Sequence, residues 1–174
     1  MSDLVPVSKR SAVSSPVSRP SHIAPDGSIV MVDVGGKTAT ERTARARAEV
    51  RLGAKAAQAV RDATLEKGDA LVAAQLAGIM AAKATATLIP LAHPIPLSSV
   101  EVAFSWDGDV LVIETRARTV AQTGVEMEAM TAASVAALVV YDMTKAVDKG
   151  ISIERVRLLE KTGGKSGTWE AKSS

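Results

Sequence analysis

The chain has 174 residues, 47% of them hydrophobic and 23% charged, with 21 Lys and Arg against 19 Asp and Glu and no cysteine. That length and apolar content support one or two compact cores and exclude a multidomain machine. A formal charge of +2 names no partner by itself, and the absence of cysteine excludes disulfides, thiol catalysis, cysteine-ligated zinc and iron–sulfur clusters. One Phe, one Tyr and two Trp are too few for a stacking platform on single-stranded nucleic acid. The longest apolar run, Ala132–Val140, reaches under half of the roughly 20 residues a membrane-spanning helix needs. The first residues carry no apolar signal core, so a cytoplasmic protein is expected.

Residues 1–28 hold eight Ser and four of the seven Pro and read as a disordered N-terminal tail. Residues 29–167 form a single catalytic domain on this reading, and 168–174 a polar C-terminal tail. Lys37 to Lys67 carries eight basic and four acidic residues, a local excess that would draw an anion. Ala44–Leu52 alternates Ala and Val with Arg and Glu, the period of a half-buried strand. Beyond Gly53 the spacing predicts a short helix over 54–64, then a second from an Asp69 N-cap through 70–87. Pro90, Pro94 and Pro96 keep Leu88–Leu97 extended. Val100–Phe104 and Val110–Arg118 flank an Asp-Gly pair and read as a hairpin. Thr123–Gly150 reads as one long helix, opened by a Thr123-x-x-Glu126 capping box and closed at Gly150, and Ile151–Leu159 as a last strand. These elements make an α+β domain, an antiparallel sheet covered on one face by helices.

Chemistry concentrates in a few places. Lys161-Thr-Gly-Gly-Lys165-Ser-Gly resembles a phosphate loop but lacks the required first glycine, since residue 159 is Leu, and too little chain follows for the helix; Lys161 and Lys165 remain phosphate-contact candidates. His93, in Leu-Ile-Pro-Leu-Ala-His-Pro, is a structural or a catalytic imidazole, and without a second His or a Cys nearby it does not read as a metal ligand. Glu126 and Glu128 point to nearly opposite sides of the long helix, so one at most faces a pocket; Glu126 suits the cap and Glu128 the pocket. Asp142 and Lys145, three apart, read as a surface ion pair or as a catalytic couple. The apolar stretch before Asp142 argues for partial burial and a shifted pKa. Glu128 and Asp142 are 14 residues apart, about 21 Å on an unbroken helix, too far for one small substrate. A homo-oligomer whose pockets combine the start of this helix in one subunit with its end in another follows.

Several blocks together resemble the MoaC family, the cyclic pyranopterin monophosphate synthases of molybdenum cofactor biosynthesis. They are Met31-Val-Asp-Val34, Lys67-Gly-Asp69, Ala77-Gly-Ile79 with Ala82-Lys83, Leu88-Ile-Pro-Leu-Ala-His-Pro94, Thr123-Gly-Val-Glu-Met-Glu-Ala129, Tyr141-Asp-Met143 with Lys145-Ala146, and Gly163-Gly-Lys-Ser-Gly167. Ala92 stands where that family usually has Cys. The resemblance implies a ferredoxin-like sandwich and a lyase acting on a 3′,8-cyclised dihydro-GTP with release of pyrophosphate. It implies Asp142 as catalytic acid or base with Lys145 and Lys67 as partners, a pocket lined by Leu91, Ala92, His93, Met127 and Glu128, and Arg42 and Lys161 on the triphosphate. It also implies a homohexamer, a trimer of dimers with intersubunit sites, and no resident cofactor, any Mg²⁺ arriving with the triphosphate. A lysine with a lowered pKa beside the acid would suit the proton transfers. The alternative from another class is a noncatalytic RNA- or polyphosphate-binding module using Arg45, Arg47 and Arg51.

Overall fold

The computed structural model describes Ile23 and residues 26–172, divided into two units, Met1–Val32 and Asp33–Ser174. In the first, Ile23 and Ile29 form an isolated antiparallel bridge, and Asp26 accepts hydrogen bonds from the amide and hydroxyl of Ser28. The tail expected over 1–28 lies almost wholly outside the described residues.

The second unit runs β1 (Thr40–Arg51), α1 (Ala54–Arg61), α2 (Ala70–Lys83), α3 (Thr85–Leu88), β2 (Ser99–Asp107), β3 (Val110–Ala121), α4 (Glu126–Thr144), β4 (Ser152–Thr162) and β5 (Trp169–Glu170). The sheet order is β2-β3-β1-β4-β5, every pair antiparallel. This is the expected α+β, ferredoxin-like sandwich. α4 lies on β1, β3 and β4, while α2 packs against α4 and β2. The alternation in β1 puts Ala44, Ala46, Ala48 and Val50 under the helices, all at most 1% exposed. Leu52, Leu111, Ile113, Val125 and Val140 fill the same layer, each worth about 1.5–3 kcal/mol on burial.

Several boundaries differ from the periodicity, each for a local reason. α1 stops at Arg61 because Ala63 turns into the left-handed region (φ 52°) and Thr64 N–H bonds back to the Ala59 carbonyl. α2 ends at Lys83, and the Thr85 hydroxyl takes up the Ala81 and Ala82 carbonyls. The capping box does not form: Val125 is the N-cap with no side-chain bond, and Glu126 instead folds over Gly124, where a Cβ would strike its carboxylate. At its other end α4 closes at Thr144, six residues before Gly150: the Val147 amide bonds back to the Thr144 carbonyl in a turn, and Asp148 then accepts from the Gly150 amide. Trp169–Glu170 pair with Lys161 and Glu160 of β4, a fifth strand too short for its alternation to register.

Small residues set the spacing of the helix layer. A Cβ on Gly78 of α2 would lie 3.1 Å from the Ala132 carbonyl oxygen of α4 and 3.2 Å from Val102 Cγ2 of β2. Gly78→Val is therefore expected to cost roughly 2–3 kcal/mol, because neither a carbonyl nor a packed valine can yield. Urea unfolding followed by circular dichroism reads it; a variant as stable as the parent would mean the helices are not in contact there.

Candidate active site

The turn before α2 and the last turn of α4 meet in a charged cluster. Gly68, at φ 93°, donates its amide to the Leu65 carbonyl, and Asp69 caps α2 by accepting from Leu71 and Val72 N–H at 2.9 and 3.1 Å. This fixes Lys67 over the end of α4, where its Nζ donates to Asp142 Oδ2 at 2.8 Å and to the Asp142 carbonyl at 2.9 Å. Lys145 Nζ lies 2.6 Å from Asp142 Oδ1. Lys67 and Lys145, which the resemblance pairs with Asp142, thus share its one carboxylate.

The expectation of a partly buried Asp142 is corrected: its side chain is 56% exposed. Within the apolar stretch before it, Ala133, Ala136, Ala137 and Val140 are buried in the core, whereas Asp142, like Leu138, stands on the outward side of α4. Its pKa accordingly falls rather than rises, to about 2, held down by the hydrogen bond from Lys145 and then by that from Lys67. Lys145 is pushed up by the same bond, so the lowered lysine pKa does not arise there. A carboxyl depressed on folding stabilises the native state above its unfolded value of 3.8 and loses that contribution as pH falls towards 2. Carbon-detected titration should find Asp142 ionised down to about pH 2, and Lys145→Ala should return it towards 3.8. A midpoint near 3.8 in the parent would contradict the double ion pair.

A second group of candidates gathers at the other end of the helix layer. Met127 and Glu128 lie in the first turn of α4. Glu128 is 3% exposed, its Oε2 has no hydrogen-bond partner, and burial pushes its pKa up. Leu91, Ala92 and His93 follow α3 in a half-buried loop, turned by the Ala92 N–H bond to Ile89 and pinned to β3 through Thr119 to Pro96 and Ser98 to Arg118. Just before α4 opens a cavity of about 720 Å³, bounded by Lys37, Arg42, Thr123, Gly124, Lys165 and Ser166. Arg42 forms its wall by donating to the Ala121 and Gln122 carbonyls at 3.2 and 3.3 Å. Lys161 reaches the edge of this cavity by bonding the Ser166 hydroxyl.

The glycine-rich segment serves this wall. Gly163 and Gly164 both have positive φ; a Cβ on the first would strike the Glu41 carbonyl and on the second the Arg42 guanidinium. Spacing alone did not place Lys37 or the threonines at the cavity; the local basic excess was the signal. The structure does not bring everything together: 14 residues of continuous helix, about 21 Å, separate the Asp142 cluster from Glu128 within one chain.

The arginines behind the nucleic-acid alternative are already committed. On the sheet face away from the helices, Arg45 pairs with Glu114 and Glu160, Arg47 with Glu49 and Glu114, and Arg51 with Glu154. Among the described residues, no group of three or more His, Asp or Glu could hold a metal ion, and no helix is long and apolar enough to cross a membrane.

A ferredoxin-like sandwich with a Lys–Asp–Lys cluster at one end of its helix layer and a cationic cavity at the other defines a small α+β enzyme for an anionic substrate. Its family is shown by comparison: the profile of the MoaC family matches residues 31–164, and the chain belongs to that family. It is 52% identical to the cyclic pyranopterin monophosphate synthase of Novosphingobium aromaticivorans, over 86% of this chain and 96% of that one. Its identity to the synthase of the same name from Thermomicrobium roseum is 54%, over 85% and 90% of the two chains. With that of Bordetella petrii it is 53%, over 90% and 98%.

Proposed function

We propose that this chain is a pyrophosphate-releasing lyase of molybdenum cofactor biosynthesis, converting a 3′,8-cyclised dihydro-GTP into cyclic pyranopterin monophosphate. The observation that carries the reading is the Asp142 carboxylate clasped by Lys67 and Lys145, in a chain about half identical to synthases of that name over most of its length. In the reaction a substrate hydroxyl attacks the innermost phosphorus; a P–O bond forms, the bond to pyrophosphate breaks, and the hydroxyl proton passes to a base. Clustered cations stabilise the departing charge, a part suited to Arg42, Lys161, Lys165 and Lys37. Leu91, Ala92, His93, Met127 and Glu128 line the pterin side.

With its pKa near 2, Asp142 is a fixed anion at neutral pH. It holds the two ammonium groups in place and accepts a proton only once bound substrate draws a lysine away. The lysines are then the proton donors, and Ala92 leaves the neighbouring backbone to do what a thiol need not. Mg²⁺ enters with the triphosphate, the enzyme works in the cytoplasm, and the assembly is a homohexamer built as a trimer of dimers with intersubunit sites.

Enzymatically prepared cyclised dihydro-GTP, with pyrophosphate and pterin as readouts, tests the assignment. Lys67→Ala, Lys145→Ala and Asp142→Asn should each lose about a hundredfold or more in turnover. Normal turnover by both lysine variants would remove the site assignment, and no pyrophosphate from the parent would remove the activity.

A further inference from the structure

β3 carries hydroxyl groups where core strands carry hydrocarbon. Its inward side runs Ile113, Thr115, Ala117 and Thr119, each at most 2% exposed, in alternation with the exposed Arg116, Arg118 and Val120. A buried hydroxyl without a partner destabilises a core, and valine has the same shape, so the two threonines need a physical reason. Other buried threonines spend their hydroxyls locally: Thr85 on the Ala81 and Ala82 carbonyls and Thr144 on that of Val140, three or four residues back along the chain. Thr115 and Thr119 reach across to other elements instead. Thr119 Oγ1 donates to the Pro96 carbonyl at 2.5 Å, three residues beyond His93, and the adjoining Ser98 amide bonds the Arg118 carbonyl at 2.8 Å. Pro94 and Pro96 lock φ, so the grip at Pro96 is carried stiffly back to His93. Thr115 Oγ1 donates to the Ala129 carbonyl at 2.8 Å, beside Met127 and Glu128 at the start of α4; its approach to the Ala46 carbonyl, at 3.5 Å, is too long to compete.

We propose that Thr115 and Thr119 are positioning residues that set the separation of two candidate parts of the site, the Met127–Glu128 turn and the Leu91–His93 loop. The proposal rests on the substrate assignment argued above and adds two residues to it. β3 is hydrogen-bonded to β1 on one side and β2 on the other, so neither threonine can slide. The four-residue step between them is a fixed spacer of about 13 Å. Each hydroxyl is buried and acts through a backbone carbonyl rather than on substrate. Without its grip, the turn or the loop drifts relative to the other, and a drift of about an ångström is enough to lower turnover well below that of the parent.

Thr119→Val and Thr115→Val keep the shape and remove the hydroxyl, whereas Thr119→Ser and Thr115→Ser keep the hydroxyl. Each valine variant should hold the parent's circular dichroism and lower kcat/KM for cyclised dihydro-GTP about tenfold, and each serine variant should return to within about twofold of the parent. Nuclear magnetic resonance reads position without turnover. The chain has two histidines, so in a His22→Gln background the one imidazole signal is that of His93, and Met127→Leu assigns the Met127 methyl. Thr119→Val should move the His93 signal and leave the Met127 methyl in place, and Thr115→Val should do the reverse. If a valine variant loses the parent's circular dichroism, alanine at that position, which crowds nothing, replaces it. Serine variants as impaired as the valine ones assign the effect to packing and overturn the proposal. Valine variants with parental kcat/KM, or with both signals unmoved, overturn it as well. A parent that releases no pyrophosphate points to failure of the functional reading instead, and the two signals then decide alone whether the threonines hold these segments.

Discussion

The geometry of the whole unit follows from how closely α2 and α4 approach. At position 78 a glycine lets α2 come against the Ala132 carbonyl and the Ala136 methyl of α4, and Ala74, Ala81, Ala82 and Ala133 are buried in the same layer. Because the two helices run antiparallel, the turn entering α2 is delivered to the last turn of α4, and Lys67 meets Asp142. A larger residue at position 78 would push α2 away from α4. The alanine content is thus a positional device: it contributes little apolar area per residue, and the larger side chains of β3 and of the strand ends supply the burial that stabilises the layer.

Fixing the carboxylate in this way sets the chemistry it can do. Two ammonium groups within 2.8 Å of an exposed carboxylate hold it ionised, and the carboxylate pushes the Lys145 pKa up, a resting arrangement poor at proton transfer and good at meeting an anion. On the proposed function, a bound anionic substrate would draw a lysine from Asp142, so binding itself would loosen the cluster and free groups to exchange protons. Exposure serves that purpose, since a buried pair would be too costly to separate.

The fold was largely legible in the sequence because its signals are periodic. Strict alternation in 44–52, the Asp-Gly turn at 107–108 and the Asp69 cap each correspond to a local rule, and each appears where the rule puts it. Tertiary contact decided the rest. Glu126 is spaced for a capping box but spends its carboxylate over Gly124; a turn from Thr144 to Val147 ends a helix that Gly150 seemed to end; β5 is two residues long. The meeting of Lys67, Asp142 and Lys145 in the candidate site was legible through the order of blocks along the chain, but its electrostatics were not. A hydrophobic run ahead of Asp142 suggested burial because sequence shows apolar density without showing which side of the helix it occupies. Arg45, Arg47 and Arg51 likewise looked like a cationic strand until the glutamates of β3 and β4 came into register beside them.

The same register bears on how the molecule divides its two faces. One side of the sheet is neutralised strand by strand, arginine against glutamate, so its charges are consumed internally and its potential towards a polyanion is weak. Lys37, Arg42 and Lys165 gather at a cavity at the start of α4, on a wall that carbonyls and glycines hold in place. Long nucleic acid needs a continuous cationic track, whereas a single triphosphate needs a small fixed cluster, and this chain supplies only the second. A ligand seated there lies a full helix length from its own protomer's Asp142. The unbroken length of α4 thus keeps the two candidate clusters apart within one chain.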